Sequence, residues 1–204
     1  EEKGGGAVWV EKSGSVVLRE KTLLQDNYAA GQLGSIYIAG GGELSYVLPA
    51  PLGHWINSLG QESLALQVGQ YADFPFSCAA GLSGQSDAKL DQSSPICSGL
   101  CPAGHTCAKA TIAPVPCEVG GFCPEGSPAA RPCSAGRFGN VTGLASADQC
   151  HACPAGSACG IGATIPARCT PGTFSANGSS ASCSSCEEGF YQGAAGATAC
   201  VKCE

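Results

Sequence analysis

The chain lacks methionine altogether, holds only three histidines, and carries Asp, Glu, Lys or Arg at 13 % of its 204 positions. Aromatic residues make up 6 %, so large side chains are too sparse to fill a core of ordinary size. There is no run of 18 apolar residues, the length a membrane-crossing helix needs. There is no basic stripe either. The net charge is −6, with five basic and ten acidic side chains in residues 1–96 and five and six in residues 97–204. Nothing here would neutralise a phosphate backbone, so nucleic acid is not an expected partner. No signal peptide is present, and the reading is an internal stretch of a longer secreted or surface protein.

Cysteine is absent from the first 77 residues and abundant afterwards, with 14 of the 15 cysteines falling between Cys97 and Cys203. That density signals a disulfide scaffold and an oxidising compartment, because cytosolic thiols are kept reduced. The cysteines keep a register. Cys78, Cys101, Cys117, Cys133, Cys153, Cys169 and Cys186 are each followed three residues later by glycine, at spacings of 23, 16, 16, 20, 16 and 17 residues. Each of these seven units has one further cysteine: Cys97, Cys107, Cys123, Cys150, Cys159, Cys183 and Cys200. Cys203 stands where an eighth unit would open, and is read as the first half of a bridge whose partner lies beyond this stretch.

The simplest connectivity closes each unit on itself, Cys78 with Cys97 through Cys186 with Cys200. The competing scheme shifts by one, joining Cys107 to Cys117, Cys123 to Cys133 and Cys159 to Cys169; sequence alone does not choose. The C-x2-C pairs at Cys150/Cys153, Cys183/Cys186 and Cys200/Cys203 admit zinc as a rival. A zinc site needs two such half-sites together, whereas here each pair falls at a unit junction. No metal or cofactor is therefore assigned. Cys-Pro-Ala-Gly at 101–104 and 153–156 suits a type I turn with glycine fourth. Two residues past the glycine stand Phe122, Phe138, Phe174 and Tyr191, expected to pack on the bridge of their own or the adjoining unit.

The runs CTPGTFSANGSSASCSSC and CEEGFYQGAAGATACVKC follow C-x-x-G-x-[FY], a spacer, and C-x-x-C. They resemble the ephrin-receptor-like and tumour necrosis factor receptor-like cysteine-rich repeat, a resemblance that extends from Cys78 to Glu204. It implies a rod-like extracellular stalk or binding ectodomain without catalytic residues. Asn140-Val141-Thr142 and Asn177-Gly178-Ser179 are N-glycosylation sequons. Both lie seven or eight residues past an opening cysteine. Thr111–Pro116 is a candidate for O-linked sugar.

In the cysteine-free part, Ala7–Val10 lies over Ser35–Ile38, and Val16–Leu18 over Leu44–Tyr46, at a shift of 28 residues. Short β-rich runs at a fixed period are the mark of a stacked solenoid. Each coil is expected to supply strands near 7–10, 15–20 and 22–27. The run TLLQDNYAAGQLGSIYI resembles the right-handed parallel β-helix of the pectate-lyase-like group; a hairpin sandwich is the alternative. One and a half coils do not stand alone, so further coils are expected before Glu1. Two prolines in Leu48–His54 break the strand pattern, making residues 51–77, with Trp55 and the run Ser63–Val68, a cap or connector. Ser83–Ser94 reads as an exposed loop.

Catalysis finds no constellation. His54, His105 and His151 lie on loops in unrelated units and read as solvated turn residues. Asp26 is alone in the third candidate strand, where a β-helix lyase or hydrolase would need clustered acids or a calcium site. The expectation is thus a mostly β chain: terminal β-helix coils over residues 1–50, a connector over 51–77 and a disulfide-rich rod over 78–204. Its function would be that of a non-enzymatic, glycosylated extracellular structural or adhesive protein, associating with itself or with sibling surface proteins. The architecture resembles large protist surface proteins such as mastigonemes. A receptor ectodomain and the non-catalytic part of a carbohydrate-active enzyme are the alternatives.

Overall fold

The computed structural model describes residues 8–10, 14–19, 21–24, 28–29, 32–33, 35–38, 43–56 and 71–204. The chain forms two compact units, Glu1–Leu100 with Cys107–Ala113, and Cys101–Thr106 with Pro114–Glu204. It is mostly β. Among the described residues the only helical turns are the 3-10 segments Asp91–Ser93 and Ala147–Gln149.

The first unit contains β1 (Val8–Val10), β2 (Ser15–Arg19), β3 (Tyr28–Ala29), β4 (Gln32–Leu33), β5 (Ile36–Ile38), β6 (Glu43–Val47), β7 (His54–Trp55), β8 (Tyr71–Ala72) and β9 (Phe76–Ser77). Two pairings are parallel and share the 28-residue offset seen in the sequence. Val8 lies opposite Ile36 in β1–β5, and Ser15 opposite Glu43 in β2–β6. Alternation sets the faces: Val10 and Leu18 turn inward, while Trp9 and Val17 stay exposed, as a strand period of two requires. The matched register puts Trp9 beside Tyr37, their rings stacked with centroids 4.2 Å apart.

The third strand of the coil is not formed as expected. Leu24 makes an isolated antiparallel bridge to Phe74, and residues 25–27, Asp26 included, lie outside the described residues. β5 meets β8 antiparallel, so the parallel stacking does not continue past it, and the described residues make no closed β-helix. The physical reason lies in the core. Phe74 and Ile56 join Val10, Leu18, Ile36 and Ala50 in one buried cluster, with Tyr46 and Phe76 edge-on to Phe74 at 5.7 and 5.4 Å. Residues 71–77 thus take the place another coil would fill. Each fully buried aliphatic or phenyl side chain there contributes about 1.5–3 kcal/mol.

The expected connector run Ser63–Val68 lies outside the described residues. His54 differs from expectation: in β7 it is only 8 % exposed, with Nδ1 3.0 Å from the Leu52 carbonyl. The loop Ser83–Ser94 also differs. Its tip at Asp87–Leu90 is exposed, but Ser83 and Gln92 are buried, because both ends fold back under the unit.

The second unit is a series of two-residue antiparallel hairpins: His105–Thr106 with Val115–Pro116, Gly121–Phe122 with Arg131–Pro132, and Arg137–Phe138 with His151–Ala152. Ser157–Ala158 with Ala167–Arg168, Thr173–Phe174 with Ser184–Ser185, and Phe190–Tyr191 with Val201–Lys202 continue it. Strands this short cannot bury a face. What they bury instead is cysteine, from Cys101 to Cys169.

Candidate functional site

The bridged repeats are the chain's distinguishing chemistry. Disulfides join Cys78 to Cys97, Cys117 to Cys123, Cys133 to Cys150, Cys153 to Cys159, Cys169 to Cys183, and Cys186 to Cys200. Cys101 and Cys107 are disulfide-bonded as well. The pairs run within units, so the shifted scheme and the zinc rival have no cysteines left to use. Cys203 is exposed with a free thiol. Its N–H donates to the Gly189 carbonyl at 2.8 Å, the bond that each opening cysteine makes.

The glycine register has a backbone cause, though not the expected one. In the 101 unit the turn bond runs from the His105 N–H to the Pro102 carbonyl at 3.1 Å. Gly104 is therefore third in its turn, at φ +79°, where a type II turn demands positive φ. The proline-led turn starts one residue later than the type I reading placed it.

Successive repeats are latched by four backbone hydrogen bonds. Between the 117 and 133 units, the Cys133 N–H donates to Gly120 at 2.8 Å and the Gly120 N–H to Gly139 at 2.7 Å. The Gly143 N–H donates back to Cys117 at 2.8 Å, and the Cys123 N–H to Leu144 at 2.8 Å. The same set recurs one repeat on, with Cys153, Gly136, Gly162 and Gly139 as the donors. Cys169, Gly156, Ser179 and Cys159 repeat it, and so do Cys186, Gly172, Gly196 and Ser175. With almost every latch group satisfied inside the stack, the backbone can be buried without penalty.

The residues that donate back to the opening cysteine are Ala110, Gly126, Gly143, Gly162, Ser179 and Gly196, all at positive φ. The sequence reading missed them. Their signal was nevertheless present: each is a small residue nine or ten positions past an opening cysteine.

Of the repeat aromatics, Phe122 packs against Cys133, Leu144 and Cys150 of the adjoining unit, while Phe138 lies 5.6 Å from the His151 ring. Phe190 and Tyr191 are largely exposed. Asn140 and Asn177 are both exposed. The Asn177 carbonyl accepts from the hydroxyls of Ser175 and Ser180 at 3.0 and 3.1 Å, so that sequon sits in a fixed turn. Among the described residues no three His, Cys, Asp or Glu side chains are placed to share a metal ion. No helix there is long and apolar enough to cross a membrane.

No curated protein matches the chain. Residues 172–204 match the family described as tyrosine-protein kinase ephrin type A/B receptor-like. That stretch holds the Cys186–Cys200 bridge and the hairpin Phe190–Tyr191 with Val201–Lys202, so it is the cysteine-rich segment that is similar to the family.

Proposed function

We propose that this chain is part of an extracellular structural and adhesive protein, built into a fibre, wall or matrix such as a mastigoneme. The observation that carries the reading is that the repeats bury disulfides in place of an apolar core. Such a scaffold is stable only where thiols stay oxidised. The 28-residue parallel register of β1–β5 and β2–β6 supports a second element, the last coils of a right-handed parallel β-helix. Exposed sequons at Asn140 and Asn177 support N-glycosylation. No catalytic role is proposed for any residue, and association with copies of itself or sibling surface proteins is the proposed mode of action.

The test is the state of the native protein at physiological salt, viewed by electron microscopy. Chain found in extracellular filaments, released on reduction and shortened in mass by deglycosylation at both asparagines, is the expected result. A soluble monomer that degrades a polysaccharide would overturn the proposal. The match to an ephrin-receptor-like family favours a second reading, a receptor ectodomain. That reading expects a membrane-anchored full-length chain that captures a protein ligand through residues 172–204.

A further inference from the structure

Residues 50–56, Ala-Pro-Leu-Gly-His-Trp-Ile, contain no cysteine, yet they make the backbone bonds of a bridged repeat. The Cys78 N–H donates to Gly53 at 2.8 Å, as the Cys117 N–H does to Gly104 at 2.8 Å. The Gly53 N–H donates at 2.8 Å to Gly84, six residues past an opening cysteine, as the Gly104 N–H does to Cys123 at 2.7 Å. Gly53 has φ +78° and Gly104 +79°. The turn bond from His54 to Pro51, 3.2 Å, matches that from His105 to Pro102, 3.1 Å. β7 pairs with β9 as His105–Thr106 pairs with Val115–Pro116. Aligned on these bonds, APLGHWI lies over CPAGHTC, and Ala50 and Ile56 occupy the places of Cys101 and Cys107. Both are buried, at 0 and 1 % exposure.

One difference stands out. In the 101 unit the opening carbonyl is taken by a backbone donor, Gly126. At Ala50 a side chain does this: Gln92 Nε2 donates to the Ala50 carbonyl at 2.8 Å while its Oε1 accepts the Ala50 N–H at 2.7 Å. The Gln92 carbonyl also accepts the Ile56 N–H at 2.7 Å. Gln92 is 2 % exposed and lies in the loop between Cys78 and Cys97, five residues before the second.

We propose that residues 50–77 are a cysteine-free member of the repeat array, and that the seat they make for Gln92 brings Cys78 and Cys97 together before their bridge forms. Cys78 and Cys97 are 19 residues apart and Cys117 and Cys123 are six. Loop-closure probability falls as the 3/2 power of length, so an unassisted chain closes the longer loop about sixfold less often. Three buried hydrogen bonds from Gln92 to Ala50 and Ile56 offset that handicap. Their donors and acceptors belong to a segment held by the apolar cluster around Phe74, which needs no oxidation.

Two experiments on the full chain test this. The double substitution Ala50→Cys with Ile56→Cys, refolded with glutathione disulfide, should give one extra bridge. Two protein thiols are oxidised and one glutathione disulfide is reduced to two glutathiones. Peptide mapping should find the introduced pair joined to each other with every native bridge kept. Introduced thiols that stay reduced, or that draw native cysteines into new pairs, would overturn the repeat assignment. The second experiment alkylates free thiols at intervals during oxidative refolding. Cys78–Cys97 should form within about twofold of the rate of Cys117–Cys123, and Gln92→Ala should slow it roughly sixfold while leaving Cys117–Cys123 unchanged. Gln92→Glu, which keeps the acceptor and loses the donor, should fall between them. Loss of the Cys78–Cys97 bridge alone in Gln92→Ala supports the pairing role as well. An unchanged order of bridge formation in Gln92→Ala overturns it.

Discussion

Gly136 lies directly against the carbonyl oxygen of Ser179, a residue of the repeat two further on: a Cβ built on Gly136 would stand 2.1 Å from that oxygen. The latch bonds join each repeat to the next, and this approach adds a contact that skips one. Gly104 and Gly143, Gly120 and Gly162, and Gly156 and Gly196 show the same relation, with a built Cβ 2.6, 2.4 and 2.1 Å from the facing oxygen.

Gly136→Ala should therefore destabilise the repeats far more than Gly172→Ala. Both glycines have φ +83°, so each substitution carries about 1–2 kcal/mol of left-handed strain. Only Gly136 meets a neighbour; Gly172 has nothing within 4 Å. Overpacking at Gly136 adds roughly 1–3 kcal/mol. Denaturant unfolding of the two variants gives the difference, and equal losses would mean the skip contact carries no load.

Replacing Cys133 and Cys150 together by alanine should cost about 3 kcal/mol, through the freed loop and the exposure of Phe122 and Leu144 around that bridge. Replacing Cys117 and Cys123 should cost about 1 kcal/mol less, because the closed segment is 6 rather than 17 residues. Unfolding midpoints of the two double variants, each with its remaining bridges mapped, check the ranking.

Ser83→Ala should leave stability unchanged or raise it by roughly 1 kcal/mol. The Ser83 hydroxyl is buried with no hydrogen-bond partner, and removing an unsatisfied polar group removes its desolvation cost. Thermal unfolding measures the outcome; a loss above about 1 kcal/mol would imply a partner for that hydroxyl.

Tyr46 should give the first unit an alkaline limit. Burial raises its pKa above the ordinary 10.0, and its hydroxyl donates to the Thr22 carbonyl at 2.7 Å. An unfolded tyrosine ionises near pH 10, before the folded one. The stability is thus complete below about pH 10 and is lost as pH climbs from there through the folded value. Tyr46→Phe should cost about 1 kcal/mol at neutral pH and flatten the alkaline decline. Urea unfolding between about pH 8 and 11, with the Cys203 thiol blocked to prevent disulfide exchange, separates the two effects.

The bridges were legible as a pattern because each closes locally: Cys153 and Cys159 lie six residues apart, and no distant element has to be known to pair them. The β1–β5 register was legible for a similar reason, since stacked coils repeat their side chains at a fixed offset. Gln92 was not legible. Its meaning depends on Ala50, 42 residues away, and a glutamine in a polar loop gives no sign that it is buried. The missing third strand at 22–27 was hidden in the same way, because Phe74 reaches back to Leu24 from a segment that no periodicity connects to it. His54 looked like a turn residue from its proline and glycine neighbours, and is one, but the turn is inside.

Six residues separate each back-donating residue from the next opening cysteine in five cases: 111–116, 127–132, 163–168, 180–185 and 197–202. Only 144–152 is longer, at nine, and its surplus is wound into the 3-10 turn Ala147–Gln149. Gln149 Oε1 accepts from the Ala145 and Ser146 backbone N–H groups there, and the latch bonds on either side keep their lengths. The array thus has one place per unit where the chain can grow without disturbing its neighbours. Insertions, new sequons or recognition segments can accumulate at that place as interchangeable parts, while the offsets from cysteine to glycine stay fixed.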